Sequence, residues 1–154
     1  MKFAQRLVSW FRKKSPWVFH VNAGSCNNCD IETIATLTSR FDVERFGIVL
    51  EGSPRHADML LVTGIVTRQT APRLRRIYEQ TPDPKLVVAV GECAASGGIF
   101  RRGYNMAGPL DSIIPVDAYV FGCPPRPQAI IDGIINALNV FEKPRAERAP
   151  LVVS

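Results

Sequence analysis

Apolar and polar positions alternate along this chain in two distinct rhythms. Short apolar runs bounded by turn residues read as strands at Trp17–Val21, Phe46–Leu50, Asp58–Val62, Leu86–Val90 and Ala118–Phe121. The run at Leu86–Val90 has no polar interruption, the pattern of a sheet centre covered on both faces. Between these runs the apolar spacing becomes helical. Cys29–Ser39 carries Ile31, Ile34, Ala35 and Leu37 as an apolar face. A second helix, from about Gln69 to Gln80, turns Leu74, Ile77 and Tyr78 inward and Arg73, Arg75 and Arg76 outward. A third runs from Pro127 to about Val140, with Ile130, Ile131, Ile134, Ile135 and Leu138 apolar and proline at its start. Thr81-Pro82-Asp83-Pro84 is a clear stop, and Phe100–Pro115 has little periodicity and reads as a long loop. Strands alternating with helices predict an α/β domain built on a doubly wound parallel sheet.

The ends of the chain differ from its middle. In residues 1–15, Phe3, Leu7, Trp10 and Phe11 fall at near-helical spacing among Lys2, Arg6, Arg12 and Lys13. That is a basic amphipathic segment, suited to a membrane surface, to a membrane subunit, or to packing on its own domain. Residues 16–140 form the α/β domain, and 141–154 read as a tail. At 154 residues, one domain has enough chain for a core without staples. The net charge of +5 suits an acidic partner or an anionic surface. No apolar run reaches the roughly 18 residues that would span a bilayer, and no signal-type apolar core opens the chain, so a cytoplasmic setting is expected. The basic helix face lacks interleaved aromatics, which argues against nucleic acid.

The candidate chemistry lies in four cysteines, each in a turn marked by glycine or proline after an apolar strand. Cys26 and Cys29 stand in Gly24-Ser25-Cys26-Asn27-Asn28-Cys29, Cys93 in Gly91-Glu92-Cys93, and Cys123 in Gly122-Cys123-Pro124-Pro125-Arg126-Pro127. Three strand ends supplying four thiols converge at the carboxyl edge of a parallel sheet. Four convergent thiolates are the ligand set of an iron–sulfur cubane. They also make a structural zinc site, although zinc ribbons usually offer two closely spaced pairs and Cys93 and Cys123 are isolated. A redox pair at Cys26 and Cys29 leaves two thiols unexplained. Four inert buried cysteines fit poorly, because Gly/Pro turns are not core. The phosphate-binding glycine fingerprints usual at such an edge are absent.

These cysteine motifs, with Asp30-Ile31-Glu32, Ser53-Pro54-Arg55, Ala57-Asp58, Ala71-Pro72 and Ile114-Pro115-Val116-Asp117, resemble the small-subunit family shared by nickel–iron hydrogenases and respiratory complex I. The resemblance runs from about Val18 to Leu138. It implies a flavodoxin-like fold, one proximal 4Fe–4S cluster on Cys26, Cys29, Cys93 and Cys123, and a large catalytic subunit docked against the cluster edge. Complex I members carry adjacent cysteines in the first motif. The two-residue separation here is similar to the membrane-bound, energy-converting hydrogenases of group 4, which are ferredoxin-linked. That likeness implies a nickel–iron centre on the large subunit, a polyferredoxin-like subunit, membrane subunits, and a place on the cytoplasmic face of the membrane. A quinone- or sulfur-reducing relative without nickel, and a zinc-stabilised binding module, are the alternatives. The family pattern has glycine where this chain has Asn28, and asparagine tolerates positive φ.

Four other residues carry lesser expectations. Glu32 is placed either on a proton path at the subunit interface or as a first-turn carboxylate complementing the helix dipole. Arg126, three residues past Cys123, would raise a cluster's potential or pair with a surface carboxylate. His56 is either a redox-linked proton acceptor or a satisfied turn residue. Arg68, with the arginines of the second helix, reads as a solvated face or a subunit contact.

Overall fold

The computed structural model describes residues 10–139, 141 and 150–153. A six-stranded sheet holds β1 (Trp17–Asn22), β2 (Val49–Leu50), β3 (Met59–Thr63), β5 (Leu86–Val90), β7 (Ala118–Val120) and β8 (Leu151–Val153) in the order β2-β1-β3-β5-β7-β8. Every pairing in it is parallel. The helices are α1 (Asn28–Ala35), α2 (Ala71–Gln80), α3 (Glu92–Ser96) and α4 (Pro127–Asn139). The expected doubly wound parallel sheet is therefore present, with flavodoxin-like strand order and its switch point between β1 and β3.

Residue alternation within the central strands sorts side chains to two cores. Met59, Leu61, Leu86 and Val88 meet Ile130, Ile134 and Leu138 of α4 on one face. Leu60, Val62, Val87 and Ala89 meet Leu74 of α2 and Ala94 of α3 on the other. Both β3 and β5 are buried along their whole length, as an apolar run without alternation requires. At the amino edge two buried carboxylates substitute for missing ladder partners. Asp58, just before β3, accepts from the Trp17 amide at 3.2 Å, and Asp117, just before β7, accepts from the Val87 amide at 2.8 Å. Arg12, in a helical turn at 10–14, pairs with Asp58 at 3.1 Å and ties that turn to the same edge.

Several sequence expectations change. The segment read as a tail supplies the edge strand β8, whose three residues gain their structure from β7. The loop at 100–115 contains β6 (Met106–Gly108), which pairs antiparallel with β4 (Val66–Thr67) outside the main sheet. The strand expected at Phe46–Leu50 shrinks to Val49–Leu50 after a 3₁₀ turn at Val43–Phe46. Residues 1–9, most of the expected amphipathic segment, lie outside the described residues.

The largest correction concerns α1, which is turned over relative to the periodicity. Its buried side is Cys29, Asp30 and Thr33, followed by Thr36 just past the helix, while Ile31 and Ile34 are 55% and 57% exposed. The polar groups go inward because each finds a partner there. Thr33 and Thr36 donate to backbone carbonyls at 2.8 and 2.6 Å, and Asp30 meets side chains of β1 and β3.

Asp117→Ala strands the Val87 amide in the interior, a loss of about 1–3 kcal/mol. Urea unfolding should show a lower midpoint at unchanged slope.

Candidate metal centre

Four parallel strands in register bring their carboxyl ends to one edge, and three of them run straight into the cysteine turns. Cys26 and Cys29 follow β1, Cys93 follows β5 and opens α3, and Cys123 follows β7. Between them Thr63 ends β3. Cys29 is buried, Cys93 half-buried, and Cys26 and Cys123 exposed; none is in a disulfide. The first turn depends on Asn27, whose φ of 76° lies in the left-handed region and serves as the helix N-cap. Positive φ thus falls one residue before Asn28, which is already helical.

The turns interlock at Gly91. Its φ is +88°, and a Cβ there would stand 2.7 Å from the Cys29 sulfur and 3.5 Å from the Gly122 carbonyl oxygen. Only a residue without a side chain lets β5 end this close to the first thiol pair. Gly97, with φ of +86°, backs onto the Met106 thioether, whose sulfur is 2.9 Å from where a Cβ would be.

The four sulfurs act on one another electrically. Burial first, then Cys26, Cys93, Cys123 and Asp30, push the Cys29 thiol up to about 11. Burial, then Cys123, Cys26 and Glu92, raise Cys93. Cys29 and Cys93, held protonated by burial and by their neighbours, would give up their protons to a cationic group that relieves the repulsion. Among the described residues, no three His, Cys, Asp or Glu side chains close on a point that would hold a single ion. The donor set, four sulfurs brought to one sheet edge, is the soft ligand chemistry of an iron–sulfur group and equally of a thiolate-bound zinc ion.

Asp30, one residue past Cys29, is the buried polar centre of the site that sequence reasoning missed. It is only 4% exposed. One carboxylate oxygen accepts from Thr63 Oγ1 at 2.5 Å and meets His20 Nε2 at 2.8 Å; the other accepts from Asn22 Nδ2 at 2.8 Å and from the Ser25 hydroxyl. Burial would raise its pKa, but the Ser25 and Thr63 hydroxyls and the His20 imidazole outweigh that and lower it. The same network shapes the loop, since Asn22 Oδ1 accepts from the Gly24 and Ser25 amides at 2.9 Å each. Ser25 in turn receives the Asn27 amide at 3.0 Å. No local pattern announces this cluster, because His20 and Asn22 lie on the preceding strand and Thr63 is 33 residues away.

The other expected residues are spread out. Glu32 is half-buried on α1, and Arg126 is exposed just before α4. His56 is exposed beside the Trp17 ring, at the amino edge opposite the thiols. Arg68, Arg75 and Arg76 line an open groove with Pro72, Met106 and Ile113. Large apolar side chains are exposed on the elements bearing the thiols: Ile31 and Ile34 on α1, then Ile99 (88%), Phe100 and Tyr104 (90%) beyond Cys93.

The thiol environments set an order of reactivity in metal-free protein. Iodoacetamide at pH 8 should label exposed Cys26 and Cys123 before Cys29, whose thiolate becomes abundant only as the pH approaches about 11. Mass spectrometry of the alkylated peptides reads that order directly.

Known proteins share this arrangement over most of the chain. The probable membrane-bound hydrogenase subunit mbhJ of Pyrococcus furiosus is 59% identical over 133 residues, 86% of this chain and 80% of that protein. Formate hydrogenlyase subunit 7 of Escherichia coli is 47% identical over 138 residues, 90% of this chain and 54% of that protein. A chain of the membrane-bound sulfane sulfur reductase, an archaeal respiratory membrane complex, superimposes with a TM-score of 0.79 at 45% identity, covering 91% of this chain and 77% of that one. The family described as NADH ubiquinone oxidoreductase, 20 Kd subunit, matches residues 26–137. That span begins at the first thiol and contains all four, and the chain belongs to this family of oxidoreductase-complex subunits, which includes hydrogenase small subunits and carries an iron–sulfur cluster.

Proposed function

We propose that this chain is the electron-transfer subunit of a membrane-bound nickel–iron hydrogenase, with one 4Fe–4S cluster held by Cys26, Cys29, Cys93 and Cys123. The observation that carries the reading is the convergence of four thiols from three strand ends on one sheet edge. The 59% identity to a probable membrane-bound hydrogenase subunit supports the choice of complex. When bound, the cluster supplies one-electron storage between a donor and the catalytic centre of a partner. The chain's own residues prepare the place. Gly91 admits the first thiol pair, and the Asn22–Ser25–Asp30 network fixes the loop between Cys26 and Cys29. Ile31, Ile34, Ile99, Phe100 and Tyr104 offer an apolar surface that a large subunit carrying nickel and iron covers, excluding water from the thiols. Glu32, on the helix with Ile31 and Ile34, is the residue of this chain assigned to move protons at that interface. A polyferredoxin-like subunit delivers electrons from ferredoxin, and membrane subunits couple turnover to ion movement on the cytoplasmic face. Among the described residues no helix is long and apolar enough to cross a membrane.

A second reading has its own support in the sulfane sulfur reductase chain, at 45% identity and a TM-score of 0.79. It keeps the cluster and removes nickel from the partner. Metal analysis of the complex, purified anaerobically through a tag on this chain, separates the two. About four irons attributable to this subunit with nickel in the complex support the hydrogenase. Iron without nickel selects the sulfur- or quinone-reducing relative, and zinc alone overturns the relay.

Two variants test the ligand set. Cys93→Ser should lose the native cluster and hydrogen evolution together, and a full native cluster in that variant would reject the assignment. Gly91→Ala should also fail to load iron, because its methyl group would stand 2.7 Å from the Cys29 sulfur. Iron and acid-labile sulfide assays read both.

A further inference from the structure

Asp30 is a buried carboxylate that neither electron relay nor cluster ligation requires. Burying a carboxylate is costly, and a chain that needed only to close the loop at 22–30 would do so with a neutral side chain. Here the charge is kept and fixed. Four donors hold it: Asn22 and the Ser25 hydroxyl on one oxygen, Thr63 and His20 on the other. They come from β1, the cysteine loop and β3, so the carboxylate cannot rotate away from Cys29, its neighbour in the first turn of α1. Glu92 stands in the same relation to Cys93, with its carboxylate held by Ser96 at 2.5 Å, but it is more open to solvent. Arg126, the sequence candidate for raising a cluster's potential, is exposed. Of the charges beside the thiols, Asp30 is the one water screens least.

We propose that Asp30 sets the field at the cluster edge, its carboxylate making acceptance of an electron there harder than four thiolates alone would. The proposal rests on the reading of the four cysteines as cluster ligands. Reduction adds one negative charge to the group they hold, and a fixed negative charge beside Cys29 opposes it, so the potential is lowered. Asp30 is thus a positioning residue for charge, acting on a group it does not ligate.

The test is a redox titration of the intact complex, followed by the electron paramagnetic resonance signal of this subunit's cluster. Asp30→Asn keeps the shape and removes the charge. At a fixed potential it should hold about ten times more reduced cluster relative to oxidised, a rise of about 59 mV for a one-electron couple. Asp30→Glu restores the charge and should return the midpoint close to that of the unsubstituted protein. Thr63→Val keeps the charge and removes one of its donors, so the carboxylate is less neutralised and the midpoint should fall. It serves as the deciding variant if Asp30→Asn does not assemble. An unmoved or lowered midpoint in Asp30→Asn, an unmoved or raised one in Thr63→Val, or loss of the cluster from both, reduces Asp30 to a structural clamp and overturns the proposal. A complex whose unsubstituted form carries no iron or sulfide on this subunit defeats the ligand assignment instead.

Discussion

Parallel pairing is the constraint on which everything else here depends. Because β1, β3, β5 and β7 run the same way in adjacent positions, whatever follows each strand emerges at one edge. Residues remote in sequence become neighbours without any loop having to travel. Cys26 and Cys123 are nearly a hundred positions apart in the chain, yet the ladders between them are short and continuous. The burial of β3 and β5 on both faces makes that edge rigid, which is what a group with fixed ligand geometry requires of its scaffold. The cysteine turns then need only glycine at the crowded point and one left-handed residue at the head of α1.

What could be read from the sequence follows from how local each cause is. Leu86–Val90 was legible to the residue because an unbroken apolar run between prolines and a glycine has few other outcomes. The cysteine turns were legible for the same reason. The strand at Leu151–Val153 was not, since three residues have no preference of their own and take it from β7. The pair formed by Val66–Thr67 and Met106–Gly108 was equally silent. The inversion of α1 is the most instructive miss. Helical periodicity assigns Ile31 and Ile34 to the core, and that inference assumes the core is apolar. Here His20 and Thr63 provide polar partners for Asp30 from the sheet, while Thr33 satisfies its hydroxyl on the Cys29 carbonyl of its own helix, so both go inward instead. Apolar residues on the outside are then free to serve a contact rather than the fold.

The site also shows how a buried charge and a set of converging thiols share one scaffold. Asn22 bridges the two, with its amide nitrogen on Asp30 and its oxygen on the loop amides that precede Cys26. Ser25 does likewise, donating to Asp30 and receiving the Asn27 amide. Geometry and electrostatics at the first thiol pair are therefore inseparable in the wild-type chain. Conservative substitutions that keep one and alter the other distinguish them; deletions do not.

The edge strand β8 has a consequence in the order of synthesis. A domain folds as a unit, and this one lacks its outer edge strand until residues 151–153 have been made. Until then the strand that delivers Cys123 has a neighbour on one side only. Its outer hydrogen bonds, including that from the Phe121 amide to the Val153 carbonyl at 2.9 Å, wait for residues 151–153. In this protein the turn bearing Cys123 is thus braced on its outer side by a strand made after it.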